Sequence, residues 1–478
     1  MSGPRADSMD EKDTFVLRHL SELQPELWWL DSDPLEPESR PALVGEVGAD
    51  LCVVGAGYTG LWTALLAKER DPSRHVVVVE QYETGAGASG RNGGFLSASL
   101  THGFMNGVRR FGDEMAEIER LARENLDEIE ATIRRYGIEC DFERTGELRV
   151  ALEEWQMRDI LEEAAKRNDA GDHVSVLSAD EVRARLNSPR YLGGLYDPDG
   201  TALVDPARLV WGLERVCLSL GVEIFENSKV ERLEDVSGGV RVITSYGAVT
   251  ASRVALATNV WPSLVRSVRK YVVPVFDYQI VTEPLSEEQR AAIGWWGREG
   301  VSDAGNQFHY YRLTSDGSIL WGGFDAIYHF RGKVQRHYEF NPDTFATLAA
   351  HFLDTFPQLA GIKFTHGWGG AIDTCTRFSP FWGTAHGGRV VYAVGFTGLG
   401  VGATRFAANT LLDLADGLDT ERTRLRMVRK KPWPFPPEPL RWFFIRLTQW
   451  SIQRADAHDG RRNLWLRLLD SLGLGFDS

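Results

Sequence analysis

The sequence predicts an α/β fold in two domains, one assembled from discontinuous stretches of chain and the other an α+β unit with a mixed sheet. Three observations predict it. From Asp50 a buried-strand run, a glycine turn, a helical stretch and a second buried strand follow one another within about thirty residues, the order of a βαβ unit. Similar α/β alternation returns in the middle of the chain and near its end, separated by two insertions of different pattern. At 478 residues the chain also exceeds what one ordinary core organises.

Bulk properties bound the function. Apolar residues make up 43% and charged residues 25%, the balance of a globular protein. A net charge of -14 with pI near 5.4 argues against nucleic acid or an anionic membrane as the main partner. The four cysteines (Cys52, Cys140, Cys217, Cys375) are widely spaced and contain no CxxC pair. That excludes a disulfide framework or a zinc site of the usual spacing and suits a reducing compartment. The first fifteen residues, MSGPRADSMDEKDTF, lack the apolar core of a signal peptide. No apolar run reaches the roughly 18 residues that span a bilayer. The expected location is the cytoplasm, with no transmembrane segment.

In chain order, residues 1–48 read as an extension, with a possible helix over 16–30 and a Pro-rich linker, DSDPLEPESRPAL. LCVV, GAGYTG, LWTALLAKER and HVVVVE then give strand, turn, helix and second strand. Residues 108–136 are strongly helical, with solvated charged faces around a Leu/Ile stripe. ELRVAL and VSVLS are strand-like, and SADEVRARL carries a capping box from Ser178 to Glu181. PARLVWGLERVCLSLG reads as helix, and the segments from VEIFENSKVERLE to ASRVALAT read as strands. Residues 270–340 are dominated by aromatic strand-like stretches, followed by a helix near 344–356 and another through ATRFAANTLLDLADG. The expected division is therefore 49–107, 186–268 and 364–428 for the first domain, and 108–185 with 269–363 for the second. Residues 429–478 form a strap and a helix, KKPWPFPPEPL followed by LRWFFIRLTQW. Leu440, Phe443, Phe444 and Leu447 stand at helical spacing there, which suits packing on the body of the protein better than a membrane-surface helix.

The chemistry is carried first by Gly55-x-Gly57-x-x-Gly60. It lies where a strand turns into a helix, so Gly55 permits the tight turn, Gly57 a close approach to pyrophosphate, and Gly60 close helix packing. Tyr58 and Thr59 open that helix. Glu80, at the end of the second strand, is placed to accept hydrogen bonds from a ribose. This is a Rossmann-like dinucleotide site. A second small-residue run follows directly, GAGASGRNGG at 85–94, with Gly87, Ala88, Ser89, Arg91, Asn92, Gly93 and Gly94 as candidate contacts. A nicotinamide dinucleotide has no need of this run, whereas FAD uses it for further phosphate and for the isoalloxazine ring. Eleven histidines without HExxH or similar spacing give no support for a metal site.

With these motifs in place, the chain resembles the D-amino-acid oxidase/glycine-sarcosine oxidase superfamily, and most of all its gamma-glutamylputrescine oxidase-type branch. The resemblance rests on ADLCVVGAGYTGLWTA, VVVVEQYETGAGASGRNGG, VTEPL, SILWGGF, the WGG segment and GFTGLGV, and covers roughly residues 45–420. It implies an FAD, covalent or not, and oxidation of a C–N bond to an imine that water hydrolyses. It also implies that Val230 lies on the strand passing the adenine and that the turn at Ala257, Thr258 and Asn259 closes on the cofactor. Gly398, Leu399, Gly400 and Val401 then open a helix aimed at the flavin pyrimidine, where helix N–H groups stabilise developing negative charge.

Departures from the family pattern bear on the substrate. Relatives that act on amino acids hold the carboxylate with an Arg or Lys, and this chain has Ile372 and Gly402 in those places. A buried carboxylate without a cation is costly, so the expected substrate is an amine met by Asp277 or Asp373, with Arg312 the residue able to restore a cation. Tyr311 and Trp368 complete the candidate catalytic set, and His309, Tyr310, Trp321 and Phe324 join them as a possible aromatic cage for a cation or as plain core. Leu320 or Trp321 replaces the lysine that the sarcosine type carries near its flavin. Molecular oxygen is the expected electron acceptor, with a quinone- or carrier-linked dehydrogenase and a non-catalytic flavin-binding protein as alternatives. Cys375, near the place where sarcosine oxidases attach flavin, reads as a buried structural cysteine.

Overall fold

The protein is described here by a computed structural model covering residues 16–30 and 35–475. The architecture is the expected mixed α/β one, organised by two eight-stranded sheets. In the first, the strand Gly45–Val54 runs parallel to Val76–Val79 on one side and to Gly247–Leu256 on the other. The path continues outward to Glu223–Phe225 at one edge and through Val390–Val394 to Phe381–Ala385 at the other. A ribbon, Val230–Val236 and Gly239–Thr244, pairs antiparallel onto Gly247–Leu256.

The near-continuous apolar runs LCVV and VVVV belong to strands covered on both faces. Leu51, Val53, Val76 and Val78 alternate toward a core formed with helices Tyr58–Arg70, Pro206–Ser219 and Gly400–Ala415. Cys52, Val54, Val77 and Val79 point the other way, toward Val240, Val242 and Val249 of the ribbon side. Helix Tyr58–Arg70 contacts both neighbouring helices and is buried from Tyr58 to Ala67, which explains its apolar character all round.

The second sheet runs Phe364–Thr374, Val273–Thr282, Ile319–Gly323, His309–Leu313, Gly300–Asp303, Glu147–Ala151, Gly193–Asp197 and Ser175–Ser178. It is mixed, because Gly300–Asp303 lies parallel to Glu147–Ala151 while the other neighbours are antiparallel. Helix Pro342–Thr355 covers one face through Phe345, Leu348 and Phe352, against Tyr278, Ile280, Tyr311 and Trp321. Cross-strand partners share a face, so Asp277 opposite Gly370, Gln279 opposite Trp368 and Tyr310 opposite Gly322 fall on the other side. That side looks toward the glycine turns of the first sheet.

Three details differ from the sequence expectations. The stretch 16–30 is not one helix: it is helical over 16–19 and again only in the 3-10 turn Trp28–Leu30. Pro25 lies between, where it removes a helix donor, and Gln24 instead bridges to the second sheet through the Thr365 carbonyl. The Pro-rich linker falls partly in residues 31–34, outside those described. The helix over 108–136 is broken at Gly112 into Phe104–Phe111 and Met115–Tyr136. The C-terminal segment holds two helices, Leu440–Asp456 and Leu464–Ser471. Its apolar stripe is divided, with Phe444 and Leu447 half-buried and Leu440 and Phe443 exposed. Among the described residues no helix is long and apolar enough to cross a membrane.

Candidate active site

A cavity of about 1790 Å³ lies between the two sheets, larger than the ~300–1,000 Å³ of a typical small-ligand pocket. The turn after Gly45–Val54 forms one end. Gly55 has φ 111 and a Cβ there would lie 2.6 Å from the Ala257 carbonyl oxygen, while a Cβ on Gly60 would sit 1.8 Å from the Gly55 carbonyl oxygen. No side chain is tolerated at either place, so the start of helix Tyr58–Arg70 is pressed onto its own turn. Gly57 faces the cavity, with Ser89 Oγ beside it. The Glu80 carboxylate accepts from the N–H groups of Ala56 at 2.7 Å and Tyr82 at 3.0 Å. Burial raises its pKa, against the lowering effect of those donors.

The 85–94 segment is locked by a hydrogen-bond net. Ser89 Oγ accepts from Tyr58 N at 2.9 Å, and Asn92 donates to the carbonyls of Ala88 and Ser89 while accepting from Gly94 N. Trp368 Nε1 and Gln279 Nε2 both donate to the Arg91 carbonyl, at 2.9 and 2.8 Å. The second sheet therefore clamps the glycine segment from below. Gly93 lies against the Tyr310 ring and Leu320.

Helix Gly400–Ala415 begins on the cavity wall with neither a side-chain cap at Leu399 nor an acidic residue in its first turn. Its leading N–H groups are thus available to an anionic ligand. The turn before it is fixed by Asp373, whose carboxylate accepts from Gly395 N at 2.5 Å and Phe396 N at 3.1 Å. Burial pushes the Asp373 pKa up to about 7, partly offset by these donors.

The residues fit a bound dinucleotide. All the candidate cofactor residues line the cavity except Gly60 and Gly94, which lie behind it and set the packing. Thr258 Oγ1, Asn259 Oδ1 and Gln279 Oε1 are buried without a protein partner and belong to wall residues, so the cavity contains polar groups that call for a polar ligand. Val230 stands on the wall at the first position of its strand.

The catalytic candidates separate. Asp277 lines the cavity and accepts a hydrogen bond from Tyr310 Oη at 2.6 Å. Burial raises its pKa to about 6, with the Tyr310 hydroxyl opposing. Asp373 also borders the cavity, but its carboxylate is engaged by the turn. Tyr311, Arg312 and Trp368 are not on the wall. Tyr311 points to the helix-covered face, bonded to Tyr191 Oη at 2.8 Å and stacked on Trp321 with ring centroids 4.4 Å apart. Arg312 and Trp368 are on the cavity side but lie under the glycine segment. The Arg312 guanidinium donates to the Val204 carbonyl at 2.6 Å and reaches the Gly94 carbonyl at 3.5 Å.

The aromatic cage is corrected in the same way. His309, Tyr311 and Trp321 form core against Phe352 and Phe356, and only Tyr310 and Phe324 of the group reach the cavity. Cys375 is a buried free thiol against the Ser379 carbonyl, off the wall. What sequence reasoning missed is the far wall, made by Trp433 and Phe435 of the strap with Phe444, Ile445 and Trp465 of the last two helices. The signal was the inner stripe Phe444, Ile445, Thr448 and Ile452, at helical spacing.

Comparison with known proteins gives the family. The family model described as DAO, FAD dependent oxidoreductase, matches residues 50–414. A probable oxidoreductase OrdL of Haemophilus influenzae is 31% identical over 80% of this chain and 86% of its own length. The gamma-glutamylputrescine oxidoreductase of Escherichia coli is 33% identical over 79% of this chain and 85% of its own. Among solved structures, a glycine oxidase from Bacillus cereus superposes with TM-score 0.66 at 19% identity, over 80% of this chain and 99% of that one, a likeness of fold. The chain belongs to the DAO family of FAD-dependent oxidoreductases.

Proposed function

We propose that this enzyme oxidises the C–N bond of an amine that carries no anchored α-carboxylate, releasing an imine for hydrolysis. The observation that carries the reading is Asp277, a carboxylate on the cavity wall held by the hydroxyl of Tyr310, whose ring lies against the clamped Gly93. Bound FAD supplies the two-electron acceptor for the C–H bond next to nitrogen. Gly55, Gly57, Glu80, Ser89, Asn92 and the Gly398–Val401 turn are the residues that would hold it. Asp277, ionised above about pH 6, would receive a substrate ammonium in a charge-assisted hydrogen bond. Tyr310 fixes the carboxylate.

The lack of a carboxylate anchor at the places where relatives hold one is supported from Ile372 and Gly402, and the engagement of Arg312 adds to it. Ile372 brings an apolar group to the wall. A Cβ on Gly402 would lie 2.4 Å from the Ser97 carbonyl oxygen, so no cationic side chain fits there without moving backbone. Arg312 is occupied by backbone carbonyls. The similarity to a gamma-glutamylputrescine oxidoreductase supports an amine substrate.

Molecular oxygen is the acceptor this reading takes. Holoenzyme bleached anaerobically with an amine is then mixed with air. Rapid return of the yellow colour with peroxide supports it, and persistence of the reduced form until a quinone is added assigns a dehydrogenase. Asp277→Asn tests the amine site: retained flavin with a raised KM for cationic amines is expected, and an unchanged KM overturns the assignment.

A further inference from the structure

The overall charge hides a local exception. Of the nineteen exposed large hydrophobic side chains among the described residues, seven fall between Leu440 and Leu472, so the apolar surface is concentrated on the last two helices. The same stretch holds six arginines against three aspartates, in a chain of net charge -14. Asp456 accepts from Asn306 and Gln307 of the body, while Asp470 pairs with Arg462 and Asp459 with Arg461 inside the stretch, which leaves four arginines unpaired with its own aspartates.

Helical spacing gathers these residues on the outer arc of each helix. On Leu440–Asp456 the residues Ser451 and Ala455 are buried and Phe444 stacks on Trp465, with ring centroids 5.3 Å apart. The opposite arc carries Trp442, Phe443, Arg446, Trp450 and Arg454, all exposed. On Leu464–Ser471 only Leu466 is buried. Leu464, Arg467 and Leu468, with Leu472 just beyond the helix, repeat at three- and four-residue steps on its exposed side. The inner arcs make the far wall of the cavity and the outer arcs face solvent. Arg446, Arg454 and Arg467 have no carboxylate partner among the described residues, and Arg454 stands over the Trp450 ring at 5.8 Å.

We infer that this outer surface docks the enzyme on an anionic lipid membrane, lying on it without crossing it. The occupant follows from the chemistry. Interleaved Trp, Phe and Leu suit the boundary between headgroups and acyl chains, and arginines extend their charge to lipid phosphates. Charge complementarity also fixes the orientation, since the cationic arc is attracted and the acidic remainder is repelled. Arg446, Trp450, Leu468 and Leu472 also rim the cavity, so the docked face is the one at which the cavity opens.

Co-sedimentation of full-length holoenzyme with vesicles tests this. Binding to equimolar phosphatidylcholine and phosphatidylglycerol, little binding to phosphatidylcholine alone, and release by high salt are expected. Arg454→Glu with Arg467→Glu should weaken binding by roughly five-fold or more per arginine. Trp442→Ser with Phe443→Ser and Leu464→Ser should abolish it. The flavin spectrum and amine turnover should stay as in the parent, because none of these five side chains lines the cavity. Absence of binding to the vesicles containing phosphatidylglycerol overturns the inference. So does equal binding by the variants with intact flavin, or a solution dimer that the same substitutions dissociate, which would assign the face to a second copy.

Discussion

Asp277 is where burial and chemistry meet most directly. Its carboxylate is ionised only above about pH 6, and falling pH removes the negative charge that would meet an ammonium. For a cationic amine, kcat/KM should therefore decline below about pH 6, a limb belonging to the free enzyme. In Asp277→Asn that limb should be missing and KM raised by about 10- to 100-fold, the loss of one hydrogen bond to a charged group. Steady-state pH profiles of both proteins check this. Trp368 makes a contrasting case. Trp368→Phe deletes one of two donors on the Arg91 carbonyl, so it should lower stability by about 1 kcal/mol and loosen flavin while leaving the amine KM unchanged. Thermal melts and flavin retention measure it. The glycines were legible in the sequence because a tight turn and a pressed helix demand them. Arg312 and Trp368 were not, because nothing in their own strands reveals that a glycine segment from another part of the chain covers them.

At the scale of elements, alternation was readable and register was not. His309–Leu313 presents Tyr310 to the cavity and His309 and Tyr311 to helix Pro342–Thr355. A two-residue period predicts that split for any strand, yet an aromatic cluster in sequence looks like a single group. Asp373, near the end of strand Phe364–Thr374, holds the turn at Gly395 and Phe396 that precedes helix Gly400–Ala415, whereas the sequence offered it as a substrate contact. The two backbone donors on its carboxylate favour a brace. Asp373→Asn should then destabilise the fold by about 1–3 kcal/mol and weaken flavin binding, with the KM of bound-flavin enzyme near the parent value. A raised KM at full stability would return Asp373 to the substrate. Gly402→Lys is the complementary test. Because its Cβ collides with the Ser97 backbone, the variant should melt at lower temperature and gain no amino-acid oxidation.

For the whole molecule, the two sheets and the cavity between them account for the interruptions in the sequence pattern. Strands of the first sheet come from the start, middle and end of the chain because each insertion returns to build the second sheet. That much was visible as α/β motifs returning after unlike stretches. The far wall was not, since whether an apolar helix stripe meets the body, a partner or a membrane depends on what stands opposite it, and the last two helices turn one arc to each. The proposed selectivity of the cavity is for an amine over a free α-amino acid. Anaerobic bleaching of the bound flavin by matched pairs, each an amine and the same skeleton bearing an α-carboxylate, tests it most directly. The amine of each pair should bleach the flavin faster; faster bleaching by glycine, sarcosine or a D-amino acid than by every amine lacking a carboxylate would overturn the amine assignment.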